Sequence, residues 1–285
     1  MFSDYETHLS RLPLSQHTRR NYRQRVKQYL AWLEGTADGD KALTNPIERD
    51  FAVREFKHHL LTKGCSANTV NAALAAVDNF YLYIGLGSAK VKRQDLPKLA
   101  PRALDNNEQR RFLKAVLKSQ SLRNKTIAIL MLSCALRISE LVNLDVDDVL
   151  ITARKRELVV RCGKGGKRRV VPINKDAGEI LQRYLADRQS TETHSALFTS
   201  KRGGRLSQQA VDRLIRLFGK DAGVELSSHS LRHTCLTKLV RAGIDIVTVA
   251  EIAGHAKIET TRRYSLPSAD VMISAMEKIS YAASS

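Results

Sequence analysis

No apolar run in this 285-residue chain approaches the roughly 20 residues needed to cross a bilayer. The N-terminus, MFSDYETHLS, lacks the apolar stretch of a secretory signal. Both absences lead to the expectation of a soluble, cytoplasmic protein with no membrane partner. Cysteine is scarce and never paired in a CxxC: Cys65, Cys134, Cys162 and Cys235 stand singly and read as reduced thiols in the core or at the surface. Internal repeats and low-complexity tracts are absent as well. Acidic side chains are heavily outnumbered: 29 Asp+Glu face 47 Lys+Arg, a formal charge of +18 with a pI near 10.0. Such an excess points to an anionic polymer as partner. Residues 1–100 hold 15 basic and 10 acidic side chains and the remainder 32 and 19, so both parts of the chain are suited to touch it.

What is present is the patterning of a folded chain, 43% hydrophobic and 27% charged, long enough for two domains. In SQHTRRNYRQRVKQYLAWLEG, Tyr22, Val26, Tyr29, Leu30 and Leu33 recur at helical spacing before Gly35, while Arg19, Arg20, Arg23, Arg25 and Lys27 occupy the remaining positions. SANTVNAALAAVDNFYLYIGLG repeats the pattern through Val70, Leu74, Val77, Tyr81 and Ile84, with Ser66 and Thr69 suited to its N-terminus. IERDFAVREFKHHLLTKG supplies a third helix. We therefore expect an all-helical domain over residues 1–88 whose basic face is either a solvated surface or a polyanion contact. Residues 89–107 lose apolar periodicity and carry two prolines, the signature of a linker. Residues 108–285 form a second domain, helical except for ELVVRCGKGGKRRVVPI, where two β-branched runs flank a glycine-rich turn. The expected fold is mainly α with a small antiparallel sheet, arranged as a two-domain, C-shaped clamp.

The glycine-rich turn is not a phosphate-binding loop, because Gly166-Lys167 is followed by Arg168 and by a strand rather than a helix. It instead carries Lys164 and Lys167 outward, as a plain solvated turn or as a tip that presents an ammonium to a phosphate. In HSLRHT, His229 and Arg232 lie three apart on one helix face. His233 and Cys235 lie near, yet there is no HExxH and an arginine within the group opposes a cation, so no metal is expected. ALRISEL places Arg137 at the end of an apolar helix with Glu140 three residues on, a pattern read equally as a structural ion pair or as a guanidinium fixed for phosphate. GHAKIETTRRYS sets His255 nine residues ahead of Tyr264, with Arg262 and Arg263 beside the phenol. Arg137, Lys164, His229, Arg232, His255 and Tyr264 together form a set sufficient for phosphoryl transfer without metal or other cofactor. Guanidiniums neutralise the charge that develops on the phosphate, and a histidine takes the proton of a phenol whose ordinary pKa is about 10.

The order and spacing of these segments resemble the tyrosine recombinases, the phage-integrase family, over nearly the whole chain. ALRISEL resembles the family's first arginine box, GKGGKRRVVPI its lysine hairpin, HSLRHT its His-x-x-Arg box and GHAKIETTRRYS its Gly-His-to-Tyr segment. The first 88 residues resemble its helical core-binding domain. Cys134-Ala135 stand where Thr-Gly is frequent in the family, and Ala253 where Leu often precedes Gly-His. The resemblance implies site-specific DNA recombination through a 3′-phosphotyrosine and a Holliday junction: integration, excision or resolution. Tyr264 would be the nucleophile, Arg137 and Arg232 the phosphate clamps, and Lys164 the acid for the leaving 5′-oxygen. His229 would be an acid/base near the nucleophile, His255 a phosphate ligand and Glu140 an orienting group.

By the same resemblance Arg19, Arg20, Arg23, Lys167, Arg262 and Arg263 would contact double-stranded DNA bearing an inverted-repeat core site. A C-terminal helix over 268–285 would link a homotetramer, and an accessory protein or partner recombinase would fit the same scheme. The core-binding resemblance begins almost at the first residue, which favours the simpler Xer-like, transposon or plasmid-resolvase types in a bacterial cytoplasm, at the nucleoid or a plasmid. A type IB topoisomerase shares the chemistry and a non-catalytic DNA-binding protein shares the charge, and these stand as the alternatives.

Overall fold

The computed structural model describes residues 1–96, 102–161, 168–188, 195–255, 257–262 and 264. The chain divides into two units, Met1–Lys98 and Leu99–Ser285.

In the first unit, α1 (Phe2–Arg11), α2 (Gln16–Leu33), the single turn α3 (Gly39–Ala42), α4 (Pro46–Thr62) and α5 (Ala67–Tyr83) enclose one core. The starts of the long helices are written in the sequence. Ser15 and Ser66 accept hydrogen bonds from the backbone N–H groups of Thr18 and Thr69, and Asn45 caps α4 ahead of Pro46. Tyr29 and Tyr81 are fully buried and share a 2.6 Å hydrogen bond. Burial pushes the Tyr81 phenol up to about 12 and the Tyr29 phenol higher still, so both are packing groups rather than reactive ones. The first helix, α1, was not foreseen, because it offers the core only Tyr5 and Leu9 as buried side chains. Tyr5 is nonetheless fully buried and donates to Asn79 Oδ1 at 2.9 Å. Part of the stretch read as a linker is tied to this unit. Lys90 N–H donates to Asp50 Oδ1 at 3.0 Å, and Gln94 and Asn71 exchange two hydrogen bonds of 2.8 Å.

The second unit begins by hydrogen-bonding the other end of that stretch, where Leu104 N–H donates to Thr234 Oγ1 at 2.9 Å. Its elements are α6 (Asn106–Lys118), α7 (Leu122–Ser133), α8 (Ile138–Asn143), β1 (Val149–Ile151), β2 (Arg156–Arg161), β3 (Arg168–Pro172), α9 (Lys175–Asp187), α10 (Gln208–Ala222), α11 (Ser228–Arg241), α12 (Ile246–Ala253) and α13 (Glu259–Arg262). The strands form one antiparallel sheet in sequence order, with Val149 opposite Leu158 and Val159 opposite Val170. The β2–β3 pair is the hairpin expected from the two β-branched runs, while its turn, with Cys162, Lys164 and Lys167, lies outside the described residues. Strand β1 was missed because three residues carry no readable alternation. The main core gathers Phe112, Ile127, Met131, Leu141, Leu158 and Phe198. A second, smaller cluster of Ala135, Cys235, Leu236, Val249, Ala253 and Tyr264 lies between α7, α11 and α12. The mainly helical fold with a small antiparallel sheet is as the sequence led us to expect.

Candidate functional site

The site is built on that smaller cluster. The apolar helix α7 stops at Ser133, and the chain then turns through Ala135, whose φ of 50° is the sole positive value outside glycine among the described residues. Left-handed backbone at an alanine is costly. Here the Ala135 carbonyl accepts a hydrogen bond from the Arg232 guanidinium. Two residues later Arg137 is the N-cap of α8, and Glu140, in the first turn, reaches back to the Arg137 N–H at 2.8 Å.

Glu140 is the hub. It is 8% exposed and accepts from Arg137 Nη1 at 2.7 Å. It also accepts from both terminal nitrogens of Arg169, each at 2.8 Å, and lies 3.8 Å from Arg232 Nη1. Burial alone raises a carboxyl pKa, but the hydrogen bonds from Arg169 and from the Arg137 backbone, with the guanidinium charges, outweigh it and hold Glu140 down at about 2. Arg137 Nη2 also donates to the Gly254 carbonyl at 2.9 Å. Its side chain remains 40% exposed, so this guanidinium is fixed and still open to a ligand.

Arg232, on the second turn of α11, is only 2% exposed. Its Nη2 donates to the Ala253 carbonyl at 2.6 Å and to His255 Nε2 at 3.0 Å. Desolvation, and next the charge of Arg137, lower its pKa to about 10, which leaves it cationic at neutral pH. Gly254 closes α12 with φ +63°, and a Cβ there would stand 2.6 Å from Arg169 Nη1. Its lack of a side chain is what lets Arg169 reach Glu140. His255 follows at once, its Nδ1 2.8 Å from Thr261 Oγ1. Desolvation, then Arg232 and Arg137, depress its pKa to about 4. His229, itself exposed, sits in the first turn of α11, its pKa also lowered by desolvation, Arg232 and Arg137.

Tyr264 is 9% exposed within the small cluster. Its ring lies parallel to that of His255, 6.3 Å between centroids, and its hydroxyl is hydrogen-bonded to His233 Nδ1. His233 in turn meets the ring of His229 edge-on at 4.0 Å. The fold thus brings Arg137, Glu140, His229, Arg232, His255 and Tyr264 into one neighbourhood. Three guanidiniums against one carboxylate leave an excess of positive charge, and the two histidines with lowered pKa values are neutral at pH 7. Such a site attracts an anion and stabilises charge developing on it.

Of the remaining candidates, Lys164, Lys167, Arg263 and the segment 268–285 lie outside the described residues, and Arg262 is exposed on α13. On α2, Arg20 is exposed, Arg19 donates to the Leu12 carbonyl at 2.9 Å and Arg23 pairs with Glu6. Two residues of the cluster were overlooked in the sequence. Arg169 shares a strand face with buried Val171, and a charge at an inward-facing position was the available signal. His233, weighed only as a metal ligand, is one helical turn from His229 on the same face.

Residues 102–269 match the phage integrase family and residues 2–84 its N-terminal SAM-like domain. The tyrosine recombinase XerA of Thermococcus kodakarensis is 33% identical over 282 residues, covering 98% of this chain and 94% of the relative. A crystal structure of XerA recombinase aligns over 97% of each chain with 26% identity and a TM-score of 0.55. The XerH site-specific recombinase bound to a palindromic difH substrate, in a post-cleavage complex, shares the fold at a TM-score of 0.75 and 20% identity, over 91% of this chain and 79% of that one.

Proposed function

The chain belongs to the phage integrase family, the tyrosine recombinases, and from that premise we propose how its own residues carry out the reaction. It is a site-specific recombinase acting on double-stranded DNA. Tyr264 Oη attacks the scissile phosphorus, forming a 3′-phosphotyrosine while the bond to the 5′-oxygen breaks. Arg137 and Arg232 brace the non-bridging oxygens, and His255, whose Nε2 accepts from Arg232 Nη2, orients that guanidinium rather than donating to the phosphate itself. Lys164 supplies the proton that the leaving 5′-oxygen needs. His229 stands at the open end of the cluster as a further acid/base, and Glu140 holds the guanidiniums in register. Bond energy is kept in the phosphotyrosine, so a 5′-hydroxyl from another duplex restores the phosphodiester without metal or nucleotide cofactor.

The observation that carries this reading is the placement of Tyr264 on the small core whose Ala135 and Ala253 carbonyls hold Arg232, with His255 hydrogen-bonded to Arg232 and parallel to the phenol. A nucleophile and a phosphate clamp held by one rigid patch are the arrangement in-line transfer requires.

The wider organisation follows from the same reading. Residues 1–88 serve as the core-binding domain, with Arg19, Arg20 and Arg23 toward the duplex. Residues 89–107 act as the connector, and 108–285 as the catalytic domain, where Lys167, Arg262 and Arg263 add phosphate contacts. The core site is an inverted repeat, and the tail 268–285 docks on a neighbouring protomer to build a homotetramer on two synapsed duplexes. A partner recombinase or accessory protein fits this scheme, as does work at a bacterial nucleoid or plasmid.

The nucleophile is tested by trapping protein–DNA adducts, digesting the DNA and locating the nucleotide remnant by peptide mass spectrometry. The chain has eight tyrosines. The remnant belongs on residue 264, and its appearance on any other tyrosine overturns the assignment.

A further inference from the structure

Two histidines, His233 and His255, meet the ring of Tyr264 and a third, His229, packs against His233, and their contacts assign them different work. His255 is ruled out as proton acceptor by its own partners. Arginine only donates, so the 3.0 Å contact from Arg232 Nη2 fixes His255 Nε2 as acceptor. The proton of a neutral His255 is then on Nδ1, directed at Thr261 Oγ1 2.8 Å away, and no lone pair is left for a phenol. His229 is exposed in the first turn of α11, with its ring against that of His233. Among the described residues, the ring nitrogen bonded to Tyr264 Oη is His233 Nδ1.

We infer that His233 is the general base for Tyr264 during cleavage and the acid that returns its proton during religation. The inference rests on Tyr264 being the nucleophile. As Oη forms its bond to phosphorus, the phenolic proton passes to His233 Nδ1 and gives an imidazolium. The electron pair of the breaking P–O bond leaves on the 5′-oxygen, which takes a proton from a separate acid. In reverse, the attacking 5′-hydroxyl returns its proton to the conjugate base of that acid as its oxygen bonds phosphorus, the P–Oη bond breaks, and the imidazolium reprotonates Oη. A neutral His233 with Nδ1 unprotonated and Nε2 protonated satisfies the hydrogen bond and the transfer together. The edge-on ring of His229 limits rotation of the base.

Charged and titratable groups lie on several elements around this pair: His229 and His255 meet its rings, the Arg232 charge acts on Tyr264, and Arg137, Glu140 and Arg169 act in turn on Arg232 and His255. Their net positive charge favours the phenolate once it forms.

The test uses the full-length protein and a synthetic duplex carrying whichever target is recovered from its covalent adducts. His233→Ala and His233→Asn are compared with wild type for the rate of adduct formation between pH 6 and 10. The substitutions are expected to slow the reaction by about 10²-fold at pH 7, a typical general-base contribution. The deficit is expected to shrink roughly tenfold per pH unit as rising hydroxide takes over removal of the phenolic proton. Replacing Tyr264 by a fluorinated tyrosine with a more acidic phenol is expected to restore most of the rate in His233→Ala. A merely structural role predicts a deficit that neither pH nor the fluorinated phenol relieves, and that result overturns the inference. Full activity of His233→Ala overturns it too while leaving Tyr264 as nucleophile. A wild type that forms no adduct on Tyr264 removes both.

Discussion

Glu140→Gln should unfold the second unit far more easily than its single-atom change suggests. The carboxylate is 8% exposed and surrounded by Arg137, Arg169 and Arg232, and its pKa falls from 4.5 to about 2. At about 1.36 kcal/mol for each tenfold change in proton affinity, that difference corresponds to roughly 3 kcal/mol of stability. It agrees with the roughly 3–5 kcal/mol seen when one partner of a buried ion pair is removed. The amide cannot satisfy both nitrogens of Arg169 and offers no compensating charge. With a urea dependence of about 2 kcal/mol per molar, the midpoint measured by far-UV circular dichroism should drop by about 1.5 M at pH 7. The group is depressed in the folded state, so its contribution is complete above about pH 5 and is lost as pH falls toward 2. Wild type and Glu140→Gln should therefore converge in stability across that window. Affinity for non-specific DNA should not fall, since the substitution adds net positive charge. A midpoint shift under about 0.5 M, or a difference that persists unchanged at pH 2.5, would refute the view of Glu140 as the charge-balancing hub.

Further outcomes follow from individual contacts. Gly254→Ala must place a Cβ 2.6 Å from Arg169 Nη1 at a φ of +63°. Left-handed strain of about 1 kcal/mol with the loss of a charged hydrogen bond gives roughly 3 kcal/mol, or a melting point lower by about 6–12 °C, whereas an unchanged melting point would contradict the packing described. The His255 ring, with its pKa at about 4, should stay neutral at pH 6 by nitrogen-15 NMR and titrate only well below that, whereas titration near 6.5 would show that Arg232 does not face it. Deleting residues 268–285 should leave DNA binding and single-strand cleavage intact while abolishing recombination between duplexes, and wild-type recombination by the truncation would reject a tail-mediated tetramer.

Much of the site was legible because its residues fall in short segments of fixed spacing. Arg137 and Glu140 are three apart and close one helix start, and His229, His233 and Arg232 belong to two turns of one helix. Arg169 was not legible as a partner of Glu140, since that pairing joins a strand to a helix 29 residues away and only the folded sheet sets the distance. Nor does spacing reveal which histidine bonds the phenol, because His229, His233 and His255 are equivalent as letters and are distinguished only by their partners, Arg232 and Thr261 for His255 and Tyr264 for His233. In the first unit, α2, α4 and α5 announce themselves by period and caps, whereas α1 depends on Tyr5 finding Asn79 on α5, 74 residues along the chain.

The most direct test of the central claim is to denature cells expressing either wild type or Tyr264→Phe, recover the DNA covalently attached to the protein, and sequence it. The account predicts one strongly enriched site with inverted half-sites in the wild type and none in the variant. Adducts scattered over many sites would contradict site-specific recombination, and adducts that survive in Tyr264→Phe would remove the nucleophile.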